Sequence, residues 1–232
     1  MMNFFKRNAV LYNALMKEET PSELVEQCRQ RDQYPEGPLH VLTLHGDTVL
    51  HMAAHTAKAD FVNQLLGMLP ENEYCKLTRQ NAVGNTILHE AVAFDKLVPA
   101  AKRMLDMAPE LSSKANKFRE RPLFSVARYG QIKMFKFLDK NIESEAERKE
   151  FYQNDNKTTV LHSAVFFGHF GLLRVENLIP IPAMRGKGNK DAWIWRVPFW
   201  GAIRMKMVKY ESAKELARFL VAKDNSSRSS AE

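Results

Sequence analysis

The chain has 232 residues, of which 45% are hydrophobic and 26% are charged, and this balance excludes a disordered or collagen-like chain. No apolar run reaches the roughly 18 residues of a membrane-spanning helix, and Lys6 and Arg7 interrupt the N-terminal apolar stretch, so no secretory signal is predicted. Cys28 and Cys75 are too few for a disulfide framework, and we expect two buried thiols in a cytoplasmic protein. The net charge of +7 is unevenly divided, with −3 over residues 1–110 and +10 over residues 111–232.

The first part of the chain, residues 1–44, is predicted to form a capping helix pair and a linker. A helical pattern rich in Glu and Lys runs from Leu11 to about Arg31. It lacks the motif that recurs downstream. A stack of repeats needs an atypical terminal unit with a polar outer face, and this segment suits that role.

A recurring motif begins at Gly46. The four segments read GDTVLHMAAHTAK, GNTILHEAVAFDK, RERPLFSVARYGQ and KTTVLHSAVFFGH, and their shared leucines are 38, 35 and 38 residues apart (Leu50, Leu88, Leu123, Leu161). The third segment has Arg121 and Phe124 where the others have Thr and His. The motif resembles the T-P-L-H-x-A core of ankyrin repeats, whose period is about 33 residues. This resemblance implies an all-α ankyrin-repeat solenoid, with units at about 45–80, 81–115, 116–153 and a degenerate 154–170.

The residue types of each unit favour a helix pair. Thr48 and its counterparts precede apolar runs and are predicted to be N-caps, and Gly130 and Gly168 are predicted to be left-handed C-caps between the two helices of a unit. The recurring histidine is expected to tie the helix start to a loop carbonyl. Pro70 and Pro109 are expected to end the second helices and begin connecting loops.

The repeat pattern fails after residue 170. Residues 171–197 are predicted to be an exposed basic loop, residues 198–223 an amphipathic helix and residues 224–232 a disordered tail. The stretch from residue 197 to 227 resembles the segment after the repeats in a plant family of membrane-anchored ankyrin proteins with a C-terminal transmembrane PGG domain. That resemblance implies a role in stress or defence signalling. We expect this chain to lack the PGG module.

No motif predicts an enzyme, a metal site or a cofactor. Stacked helices place His51, His89 and His162 about 8–10 Å apart, too far to share a zinc ion with bonds of about 2 Å. Ser125 and Ser163 lie at matching helix positions, without the strained turn and the Asp–His partners of a nucleophile. The glycines and lysines of residues 186–190 lack the phosphate-loop spacing.

Two basic stretches leave alternatives open. Residues 114–140 carry eight Lys or Arg against two acids, and residues 185–209 carry seven against one acid and include three tryptophans. We interpret the tryptophans first as packing residues. The second interpretation is contact with an anionic membrane surface, at the cytoplasmic face of the plasma membrane, and the third is nucleic acid.

The predicted function is therefore non-catalytic protein binding by a scaffold or adaptor. The alternative is a membrane-associated signalling component, a truncated form of a membrane-anchored ankyrin protein. Stacked repeats present an extended concave surface, and its variable positions fall on the first helices and on the loop residue before each N-cap. The predicted partner-binding residues are Asp47, Met52, His55, Asn85, Glu90, Phe94, Glu120, Ser125, Arg128, Thr158, Ser163 and Phe166.

Overall fold

The computed structural model describes residues 2–17, 21–30, 32–142, 151–154, 158–169 and 171–172. These residues are mostly helical, and within them extended pairing consists of two isolated bridges, Val41–Thr48 and Gln153–Thr159. The predicted all-α class is therefore confirmed. The amphipathic helix, the tail and nearly all of the basic loop that the sequence predicts lie outside the described residues.

Nine α-helices can be numbered in the described residues: α1 (Met2–Met16), α2 (Pro21–Arg29), α3 (Val49–His55), α4 (Ala59–Gly67), α5 (Ile87–Ala91), α6 (Val98–Met107), α7 (Pro122–Tyr129), α8 (Ile132–Lys140) and α9 (Val160–Phe166). Helix α1 begins earlier than the predicted Leu11, because the residues that precede Leu11 contain neither Gly nor Pro and can continue the helix. No helix among the described residues combines the length and the apolar character needed to cross a membrane.

The helices pack in two layers. We call α3, α5, α7 and α9 the inner helices, because each packs against the next, and α4, α6 and α8 the outer helices, which do the same. Helices α1 and α2 pack on α3 and α4 and continue both layers. The inner helices approach closely because their contact faces carry alanines with no exposed surface (Ala53, Ala91, Ala127, Ala164). The core is thus a row of small interfaces between neighbouring units.

The helix ends follow the predicted capping chemistry. The Thr48 side chain accepts a hydrogen bond from the backbone N–H of His51, and Thr159 does the same for His162. Gly130 caps α7 with a φ of +70°, in the left-handed region that glycine enters without a steric cost. Gly168 has a φ of +80° just after α9. Capping therefore places each inner helix at the same point of its unit.

The segments after α4 and α6 are short 3-10 helices, Glu71–Thr78 and Pro109–Ser112, where the sequence predicted loops. With about three residues per turn, Tyr74 and Leu77 share the inward face of the first, and Cys75 between them is exposed. The prediction that both thiols are buried is therefore wrong for Cys75 and right for Cys28. Burial raises the pKa of the Cys28 thiol to about 12.

Candidate functional site

Turns of the same design precede the inner helices, and we call them the finger turns (residues 43–47, 81–85 and 116–120, and the described ends of a fourth, Asn154 and Thr158). In each, the first side chain accepts a hydrogen bond from the backbone N–H four residues later. The acceptor oxygen belongs to Thr43 in the first turn and to an asparagine in the others (Asn81, Asn116, Asn154), and the distances are 2.9–3.1 Å. Asn and Thr favour such turns because their short side chains reach their own backbone.

Neighbouring finger turns are hydrogen-bonded to one another. The backbone N–H of Ala82 donates to the carbonyl of His45 at 2.6 Å, and that of Lys117 donates to the carbonyl of Val83 at 3.0 Å. The side chains repeat this connection, because Asn81 donates to Asp47 at 2.8 Å and Asn116 to Asn85 at 3.0 Å. The first three turns therefore form one connected edge.

A Thr–His pair at the start of α3, and another at the start of α5, ties that helix to the finger turn of the next unit. The backbone N–H of Thr48 donates to Nδ1 of His51 at 3.3 Å, so the ring proton lies on Nε2, which donates to the carbonyl of Asn85 at 3.1 Å. In the next unit His89 Nε2 donates to the carbonyl of Glu120 at 3.0 Å. The predicted link from histidine to a loop carbonyl is confirmed for both. Burial lowers the pKa of His51, and that of His89 to about 4, because the imidazolium loses its hydration.

A row of polar side chains crosses the first three inner helices. His55 Nδ1 lies 3.2 Å from Glu90 Oε2, which joins α3 to α5. Asn85 donates to the other oxygen of Glu90 at 2.9 Å and accepts from Asn116. Glu90 is mostly covered and His55 is mostly exposed, so the histidine is the more accessible side chain of the pair.

The row ends in an aromatic group beside α9. Arg128 donates from one Nη to both carboxylate oxygens of the buried Glu120, at 2.6 and 2.7 Å. The same guanidinium lies 5.6 Å from the ring centre of Phe167, which packs edge-on against Phe166 at 4.9 Å. Arginine over an aromatic face is a favourable contact. Both phenylalanines are 44% exposed, so this end offers apolar contact area.

The structure separates the predicted partner-binding residues into two groups. Four are buried and leave little side chain for a partner to touch (Met52, Glu120, Ser125, Ser163). The others are half-buried or exposed (Asp47, His55, Asn85, Glu90, Phe94, Arg128, Thr158, Phe166). Asp47 and Asn85 are engaged in the bonds between turns, and Phe94 packs at the edge of the core.

Several other exposed residues were not predicted from the sequence. Phe167 belongs to the aromatic group and Tyr129 is the last residue of α7, and both are more than 40% exposed. Each is an aromatic residue one position after a predicted site residue, and that adjacency was the available signal. The exposed tips of the finger turns, Leu44, Val83 and Phe118, were also missed, because the repeat alignment drew attention to the last residue of each turn.

In the described part of the chain, no three His, Cys, Asp or Glu side chains come together in an arrangement that could hold a metal ion. Ser125 and Ser163 are buried in the inner helices. Comparison of the chain with protein-family models and with curated proteins found no match in either case.

Proposed function

We propose that the chain is an ankyrin-repeat protein that acts as a non-catalytic binding scaffold for other proteins. By its resemblance to the plant family with the PGG domain, we place this activity in stress or defence signalling. The observation that carries the proposal is the connected surface formed by the finger turns and the inner helices. It joins successive units through specific hydrogen bonds and still leaves side chains exposed along its length.

This surface is held rigidly. Its backbone is fixed by the capped helix starts and by the bonds between turns, so a partner would find most contact residues already in position. Preorganised contacts bind more tightly because less conformational entropy is lost on binding. The surface also mixes an exposed imidazole, an arginine and aromatic rings, the residue types that dominate protein interfaces.

The test is a selection of random peptides displayed on phage against the immobilised full chain. Selected peptides are resynthesised with a fluorescent label, and their dissociation constants are measured by fluorescence anisotropy. We expect His55→Ala and Phe166→Ala each to weaken binding by about tenfold, the effect of removing a central contact side chain.

The matched controls are Gln64→Ala and Lys102→Ala, which change exposed side chains on the outer helices α4 and α6. We expect these variants to bind within about twofold of the unaltered chain, since surface changes outside an interface are nearly neutral. Failure to select any binding peptide would overturn the proposal. So would peptides whose affinity responds to the outer-helix variants and not to the inner ones.

A further inference from the structure

The third finger turn differs from the first two at its tip. Phe118 is 59% exposed, and the residues on either side, Lys117 and Arg119, are exposed cations. The tip is held in place from two sides, because the N–H of Phe118 donates to Asn116 Oδ1 at 2.9 Å and the N–H of Lys117 donates to the Val83 carbonyl. An aromatic side chain is thus presented between two positive charges on a fixed backbone.

Arg119 occupies a backbone conformation in which the first two finger turns have glycine. Its φ is +59°, whereas the equivalent residues Gly46 and Gly84 have φ values of +78° and +81°. A residue with a side chain pays roughly 1–2 kcal/mol in the left-handed region. Backbone strain of this kind concentrates at functional positions, where the side chain serves a function and the loss of stability is tolerated.

In the stretch of chain that contains this tip, residues 114–140, the acidic side chains are buried. Between residues 114 and 140 the acidic side chains are Glu120 and Asp139, and both are at most 7% exposed. Glu120 is bound by Arg128, and Asp139 accepts a hydrogen bond from the Tyr152 hydroxyl at 2.6 Å. The exposed charged side chains of this stretch are therefore all positive (Lys114, Lys117, Arg119, Lys133, Lys136, Lys140).

The tips of the first two finger turns expose an apolar side chain and carry no Lys or Arg. Leu44 is 82% exposed and Val83 is 43% exposed, and their neighbours at the tips are His45 and Ala82. The backbone bonds between turns hold Leu44, Val83 and Phe118 along one edge, which we call the tip row. The row presents apolar side chains at Leu44 and Val83, and an aromatic ring flanked by cations at Phe118.

We propose that the tip row binds an acidic segment of a partner protein, in which apolar side chains contact Leu44 and Val83 and carboxylates flank an apolar contact at Phe118. The proposal rests on the function proposed above and names the chemistry of the partner. Charge complementarity supports it, because carboxylates would meet the two cations at the third tip.

The distribution of charge favours a protein segment over other anionic partners. A nucleic acid carries phosphates at regular spacing and would meet cations at one of the three tips. An anionic membrane surface would likewise find basic residues at one end of the row. A peptide can place apolar residues and carboxylates in any order, so it can match an edge that is mixed in this way.

The experiment uses the peptides selected on the full chain and three altered proteins. Phe118→Ala removes the apolar contact, and Lys117→Glu reverses one flanking charge. The double change Lys96→Glu with Lys102→Glu reverses exposed charges elsewhere and is the matched control. Binding of vesicles containing phosphatidylserine and of a single-stranded oligonucleotide is measured with the same proteins.

We expect the selected peptides to be enriched in Asp and Glu beside apolar residues. Phe118→Ala and Lys117→Glu should each weaken peptide binding about tenfold, and the control by less than about twofold. Binding of the unaltered chain should weaken from about 50 mM to about 300 mM salt, as screening of its charges requires.

Peptides without acidic enrichment would overturn the proposal. So would tip variants that weaken binding of vesicles or oligonucleotide and leave peptide binding unchanged. Peptide binding that responds to His55→Ala or Phe166→Ala but to neither tip variant would overturn the tip proposal and leave the scaffold function standing. A chain that binds no peptide at all would overturn both.

Discussion

The packing of neighbouring finger turns can be tested by placing one methyl group at two equivalent glycines. Gly46 and Gly84 occupy the same position of the first and second turns, with φ values of +78° and +81°. A Cβ at Gly46 would lie 3.6 Å from its nearest neighbour, in ordinary contact. A Cβ at Gly84 would lie 2.6 Å from the backbone nitrogen of Lys117. The two alanine variants therefore share the backbone strain and differ in the clash.

The expected magnitudes follow from these distances. Both alanine variants lose about 1 kcal/mol of stability, because an alanine in the left-handed region is strained. At Gly84 the obstructing atoms are backbone and cannot rotate away, so the third turn must move. That movement weakens the Lys117–Val83 hydrogen bond, worth about 1 kcal/mol, and adds an overpacking cost of about 1 kcal/mol or more. We therefore expect Gly84→Ala to cost about 2 kcal/mol more than Gly46→Ala.

The assay is urea-induced unfolding followed by circular dichroism, with both variants and the unaltered chain at the same pH. The free energy of unfolding is obtained by linear extrapolation to zero urea. Similar slopes against urea concentration show that the variants expose the same surface area on unfolding. If the two variants lost the same stability to within about 0.5 kcal/mol, the described contact between the second and third turns would be refuted, since surface effects alone are of that size.

Three further predictions concern other residues. The low pKa of His89, about 4, means that its neutral form stabilises the fold above the ordinary histidine pKa of about 6.5, and that this stabilisation is lost as the pH falls from there to about 4. From pH 7 to pH 5 we expect the free energy of unfolding, measured in urea, to fall by about 2 kcal/mol, and by less in His89→Gln. An equal fall in both proteins would contradict a buried neutral imidazole. Arg119→Gly should raise stability by about 1 kcal/mol while weakening peptide binding, and a loss of stability would remove the argument from backbone strain. In the folded chain Cys75 should react rapidly with a thiol reagent such as DTNB and Cys28 only on unfolding, and equal rates would show that α2 does not bury its thiol.

The part of the fold that depends on local chemistry could be predicted from the sequence. The pattern of Thr48, Leu50 and His51 recurs in the second and fourth units because they need the same capped helix start, and Gly130 lies where a left-handed residue is required. The link from His51 to a loop carbonyl was predictable for the same reason. Asn81 and its counterparts lie in turns, as the local preference of asparagine favours.

The features that depend on stacking could not be predicted. Whether Asn116 reaches Asn85, or Lys117 reaches Val83, depends on the rotation and rise between units, which no single repeat encodes. The alignment also gave equal weight to Ser125 and Arg128, although the first is buried and the second half-buried. Burial at these positions is decided by the neighbouring unit. The prediction that Cys75 is buried was wrong because the segment is a 3-10 helix. Its three residues per turn, instead of 3.6, place Cys75 on the outward face.

The most direct test of the proposed binding surface is hydrogen exchange of the full chain, with and without a saturating selected peptide. Binding through the finger turns and inner helices predicts slower exchange at the amides of residues 43–47, 81–85 and 116–120 and at the starts of α3, α5 and α7. The outer helices α4, α6 and α8 should be unchanged beyond any uniform stabilisation of the fold. Protection centred on the outer helices, with the finger turns unchanged, would contradict the proposed binding surface.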